Sequence, residues 1–108
     1  MNLGWSPRED FRMVVLMTTL HIEHPITDYS TWRTAFDRFE PARRGAGVIG
    51  QRIRRPDGDR NYIVVTLEFD SVELATSFRQ FLETNVWSSP AASPGLAGPP
   101  RTLILNDV

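Results

Sequence analysis

The chain has 108 residues, 41% hydrophobic and 23% charged, with a formal net charge of −1. That is the make-up of one folded domain, and it carries no overall electrostatic footprint for nucleic acid or an anionic membrane. There are no cysteines and all twelve basic residues are arginine, which excludes disulfides, thiolate nucleophiles, Cys-held zinc or iron–sulfur clusters and lysine Schiff bases.

No apolar run approaches the roughly 18 residues of a membrane span. The opening "MNLGWSPREDFR" has no apolar core of a secretory signal, so a cytoplasmic location is expected. Residues 1–12 read as an N-terminal arm and 13–108 as the domain. In the arm, Ser6, Pro7 and Glu9 form a helix-start pattern, and Trp5 and Phe11 are its expected anchors.

"MVVLMTTLHIEH" (13–24) is the first strand, rich in Val, Leu, Ile and Thr, and Pro25 ends its pairing. Asp28 caps a helix whose Trp32, Ala35, Phe36 and Phe39 recur at i, i+3, i+4 and i+7. Pro41 kinks or restarts it, and "GAG" (45–47) ends it. "VIGQRIRR" (48–55), the turn "PDGD" (56–59) and "NYIVVTLEF" (61–69) give strands two and three. Asp70 is the expected cap of a second helix, with Glu73 completing the box and Leu74, Ala75, Phe78, Phe81 and Leu82 as its apolar stripe. Residues 88–100 hold four of the eight prolines and exclude regular structure; "RTLILND" (101–107) is the last strand. The order β-α-β-β-α-β is the ferredoxin-like, α+β arrangement: a four-stranded antiparallel sheet with two helices on one face.

Strand alternation sorts residues by face. Val14, Leu16, Leu20, Ile22, Ile49, Gln51, Ile53, Ile63, Val65, Leu67 and Phe69 fall on the helix side. Met17, Thr19, His21, Glu23, Val48, Arg52, Arg54, Tyr62, Val64, Thr66 and Glu68 fall on the open side. An open face mixing apolar and charged groups suits a second sheet from a symmetric partner, which would supply both cover and counter-charges. A wet face with scattered apolar residues is the plainer alternative.

The stretch "HPITDYSTW" (24–32), together with "AGVIGQRIRRPDGDRNYIVVTLEFDSVELATSF" (46–78), resembles the dimeric α/β-barrel superfamily. Within it, these stretches are similar to small bacterial proteins of the antibiotic-biosynthesis-monooxygenase-like or cyclase-like group. The resemblance covers roughly residues 14–107 and rests on strand, turn and helix patterns, with no catalytic signature among them. It implies a homodimer whose two sheets face each other, with ligand pockets between each sheet and its own helices. Relatives in that group include cofactor-free monooxygenases of polyphenolic polyketides, polyketide cyclases and haem-degrading enzymes.

His21 and His24 are the only histidines. Three apart on a strand, they point to opposite faces and cannot share an ion, and no third ligand lies nearby, so no metal site is expected. His21, near Glu23, Tyr62 and Glu68, fits a structural ion pair or hydrogen bond. His24 is either a partly exposed loop histidine or a general base at a pocket mouth, suited to taking a proton from a phenol or enol. Trp32, Phe36, Phe78 and Leu82 are explained by core packing, and would equally line a pocket for a flat aromatic ligand. Gln51 is the one polar residue on strand two's helix side, a sign that this space is not wholly apolar.

The haem relatives use a helix-borne axial histidine, and neither histidine here is on a helix. RNA-recognition domains share the strand order, but "RNYIVVTLEF" has one exposed aromatic and no basic-glycine start, and the net charge is slightly negative, so no nucleic-acid partner is expected. The resulting expectation is a homodimer binding a small aromatic molecule without a cofactor. If it is an enzyme, oxygen insertion or ring closure through an enolate is the expected class, with His24 the base and Trp32, Phe36, Gln51, Phe78 and Leu82 lining the site. A non-catalytic ligand-binding or assembly module on the same fold is the competing class. The cavity is expected to open near the end of strand one with His24 at its mouth, and run 88–100 is expected to cross to the partner subunit.

Overall fold

The structure, a computed structural model, describes residues 16–108. The readings at Trp5, Ser6, Pro7, Glu9, Phe11 and Val14 lie outside the described residues.

Eight extended residues, Thr18–Pro25, form β1. Asp28 stands in extended conformation and its carboxylate accepts from the Thr31 amide at 2.9 Å, which starts α1 at Tyr29–Arg38. The chain breaks at Phe39 and restarts as α2, Glu40–Gly45, because Pro41 in the first turn has no amide hydrogen to give the preceding helix. Strands β2 (Gly50–Arg54) and β3 (Tyr62–Phe69) follow. Helix α3, Val72–Phe81, is capped by Ser71 and not by Asp70: Ser71 is the extended residue, and its hydroxyl accepts from the Leu74 amide. That places Leu74, not an acid, three residues after the cap, so the expected capping box does not form. A π-helical turn, Leu82–Val86, continues α3, and β4 is Arg101–Asn106.

The sheet order is β2-β3-β1-β4, all neighbours antiparallel. This is the ferredoxin-like α+β fold, with three short helices in place of two because of the restart at Pro41. Along β1 and β3 the cross-strand pairs Thr18–Phe69, Leu20–Leu67, Ile22–Val65 and His24–Ile63 all face the helices and are buried. They meet Trp32, Ala35, Ala75, Phe78, Leu82 and Val86 in one apolar core. Among the described residues, face assignment by alternation fails beyond strand ends. Val48 packs against the core and Ile49 is exposed, because β2 begins at Gly50; Leu16, outside β1, is exposed as well.

The open face carries Met17, His21, Glu23, Tyr62 and Val64, half-buried, beside Leu103 and Leu105, which are 58% and 44% exposed. Here His21 Nε2 lies 2.8 Å from Glu23, and the Tyr62 hydroxyl donates to the same carboxylate at 2.7 Å. These two hydrogen bonds hold the Glu23 carboxyl below the usual range. His21 is thus a partner in a polar cluster, as alternation and composition indicate.

Part of run 88–100 packs on its own chain. Thr27 donates to the Gly95 carbonyl at 2.9 Å, Ala97 to Pro25 at 3.1 Å, and Leu96 bridges Ile26. The proline-rich run is long because it doubles back over the end of β1 and the start of α1 before reaching β4.

Candidate active site

Between the sheet and α1 lies a cavity of about 80 Å³. Its floor is Ile22, His24, Val65 and Leu67, which β1 and β3 turn inward by pleat alternation. One wall is the α1 stripe Trp32, Ala35 and Phe36, with Trp32 and Phe36 stacked at 4.9 Å between ring centres. The facing wall is Phe78, Leu82, Val86 and Trp87. In the π-helical turn the Trp87 amide reaches the Leu82 carbonyl at 2.7 Å, and this widened turn sets Trp87 beneath Leu82. Half-buried Ala92, Ser93, Pro94 and Leu96 of the returning run form the rim.

His24 is 3% exposed, on the floor of the cavity and not at its mouth. The returning run covers the end of β1, and so buries the histidine that the strand end alone would have left open. Its Nδ1 lies 2.9 Å from the Pro25 carbonyl. A carbonyl only accepts, so Nδ1 carries the hydrogen and Nε2 keeps the lone pair. No hydrogen bond engages Nε2 among the described residues. Burial pushes the imidazole pKa down, and the Pro25 hydrogen bond offsets this in part. At neutral pH the cavity therefore holds a neutral imidazole with a free basic nitrogen.

Trp32, Phe36, Phe78 and Leu82 come together with His24 around this space. Gln51 does not: it is exposed on the edge strand β2, and its Oε1 accepts from Arg43 Nε at 3.1 Å from outside the cavity wall. The charged side chain in the cavity lining is Arg43 itself, 4% exposed. Its Nη1 donates to the Phe36 carbonyl at 2.6 Å and its guanidinium lies 3.6 Å from the centre of the Phe36 ring. Sequence reasoning missed Arg43, though a signal existed: the stripe Trp32, Phe36, Phe39 continues at i+11 to Arg43. It also missed Trp87 and the rim, which depend on the π turn and the returning run.

Among the described residues, no group of three or more His, Asp or Glu side chains is placed to hold a metal ion, and no helix is long and apolar enough to cross a membrane. No protein-family model matches the chain, and no curated protein matches it in sequence. Solved structures do. A monooxygenase of Streptomyces coelicolor in complex with nanaomycin D aligns with a TM-score of 0.58 at 14% identity, over 86% of this chain and 88% of its own. An antibiotic-biosynthesis monooxygenase-type protein of Nitrosomonas europaea aligns at 0.57 and 11%, over 85% and 90%. A dimeric ferredoxin-like protein of an uncultured marine organism aligns at 0.52 and 12%, over 83% and 94%. The chain shares the ferredoxin-like fold of these solved structures.

Proposed function

We propose that the protein is a homodimeric, cofactor-independent enzyme that takes a proton from a small phenolic or enolisable aromatic molecule in this cavity. The observation that carries the reading is His24: buried on an aromatic-walled floor, held neutral, and presenting an unpartnered Nε2. A weakly acidic O–H placed against Nε2 would transfer its proton there, leaving an electron-rich oxyanion between Trp32, Phe36 and Phe78. With dioxygen as oxidant, the ring carbon activated by that oxyanion forms a C–O bond to give a hydroperoxide. Loss of water then leaves a quinone carbonyl, so one oxygen atom is retained and the other leaves in water. A substrate with an internal carbonyl would instead close a ring through its enolate. The solved monooxygenase in complex with nanaomycin D supports a small organic ligand as the kind of molecule this fold can hold.

The test is dioxygen uptake with 1,5-dihydroxynaphthalene, whose mono-oxygenation consumes one dioxygen and yields a hydroxynaphthoquinone and water. Wild type is expected to exceed the spontaneous rate, and His24→Gln to lose about 100-fold or more of that excess. Uptake unchanged by His24→Gln would reject the base. Binding of the probe with no uptake and no cyclisation would leave a ligand-binding module.

A further inference from the structure

Arg43 is the least explained charge among the described residues. It is buried, it lines the cavity, and it has no carboxylate within ion-pair distance among the described residues. The acids nearest in sequence are engaged elsewhere: Asp37 by Arg33 at 2.9 Å, and Glu40 by Arg44. A buried cation without a counter-ion is costly, and proteins normally pair it or expose it.

The contacts it does make are neutral and incomplete. Nε serves Gln51, one Nη1 hydrogen serves the Phe36 carbonyl, and the Phe36 ring lies against the guanidinium face. These hold the fork in place and cap the end of α1. A guanidinium has five N–H donors; neither hydrogen of Nη2 has an acceptor among the described residues. Around it the cavity lining is apolar except for His24 and Ser93, and the Ser93 hydroxyl already donates to the Ser89 carbonyl at 2.8 Å. Planar, pre-positioned and partly unsatisfied, this group is suited to an oxyanion in the ring plane of an aromatic ligand.

His24 and Arg43 stand at opposite ends of one aromatic wall. The His24 and Trp32 rings are 6.4 Å apart, Trp32 and Phe36 are 4.9 Å apart, and Phe36 meets Arg43. A flat molecule lying along Trp32 and Phe36 would have one edge toward the neutral base and the other toward the cation. Resting on the aromatic-ligand reading above, we infer that the cavity selects anionic aromatic molecules, and that Arg43 is the residue that binds their oxyanion. Two sources share that chemistry: an aromatic carboxylate, and an acidic enol ionised at neutral pH, such as a hydroxyquinone.

Calorimetric titration of the full chain with two matched pairs separates them: 2-naphthoate against 2-naphthamide, and 2-hydroxy-1,4-naphthoquinone against its 2-methoxy ether. Each pair keeps the rings and differs in charge. Wild type is expected to bind at least one anion about tenfold or more tighter than its neutral partner, and the pair showing it identifies the source. In Arg43→Met the preference for the anion over its neutral partner is expected to vanish. Should Arg43→Met fail to fold, Arg43→Lys, which keeps the charge but not the fork, is expected to cut the preference, and the wild-type comparison stands without any variant. Equal binding of anionic and neutral partners to wild type would overturn the inference and leave aromatic binding intact, as would a preference that survives in a folded Arg43→Met. Binding of none of the four would remove both readings together.

Discussion

His24 illustrates how far a single residue's chemistry follows from its place on a strand. Pleat parity puts it on the helix side, and the Pro25 carbonyl, 2.9 Å from Nδ1, fixes its tautomer. Its depressed pKa has a consequence for stability. Below its ordinary value of 6.5 the unfolded chain takes up a proton at this position while the folded chain does not, so stability falls as pH drops toward the folded pKa. In urea denaturation, the stability advantage of wild type over His24→Gln is therefore expected to shrink between about pH 7.5 and about pH 5. An advantage that is constant across that range would mean burial does not set the protonation of His24. What parity could not reveal was depth. Whether a strand-end histidine is at a mouth or on a floor depends on what crosses over it, and that is decided by residues 92–96, about seventy positions later. Gln51 and Arg43 show the complementary case. Gln51 was legible as a polar group on the helix side of β2, but on an edge strand that side is wet. The polar atom inside belongs to the arginine that Gln51 supports.

At the scale of elements, the returning run is held by one close approach. Gly95 sits at φ 90°, and an added Cβ would stand 3.0 Å from both the Cα and the amide nitrogen of Trp32. Neither backbone atom can move aside without moving α1, and the positive φ disfavours any side chain. Gly95→Ala is expected to cost about 1–3 kcal/mol, to loosen the Thr27–Gly95 and Ala97–Pro25 hydrogen bonds, and to raise exchange at those two amides first. A fully stable variant with both amides protected would show that the run has room to spare. The strands and α1 were legible because alternation and the Asp28 cap are local signals. The π turn and the path of the run were not: each is selected by the cavity wall it packs against, and no short-range pattern encodes it.

For the whole molecule, the open sheet face is where the proposed homodimer would pack. Leu103 and Leu105 stand exposed on it beside a polar cluster of His21, Glu23, Tyr62 and Arg101. Packing two such faces would bury the leucines and bring polar groups of both copies together, on the isologous logic of a two-fold dimer. Light scattering at micromolar concentration is expected to give twice the chain mass for wild type, and Leu103→Arg with Leu105→Arg to give a folded monomer. A monomeric wild type would leave this face as ordinary surface.

The cavity as a binding site for an aromatic acid, with a neutral His24 as its base, is tested most directly by nitrogen-resolved NMR of the imidazoles. The chain has two histidines, so the spectrum holds two rings and His24→Gln assigns them. At neutral pH, His24 is expected to show a protonated Nδ1 and a bare Nε2, and titration with 1,5-dihydroxynaphthalene should move the Nε2 resonance of His24 while His21, on the far side of the sheet, stays in place. An imidazolium at His24 at that pH, or an Nε2 resonance that saturating ligand leaves unmoved, would contradict the account.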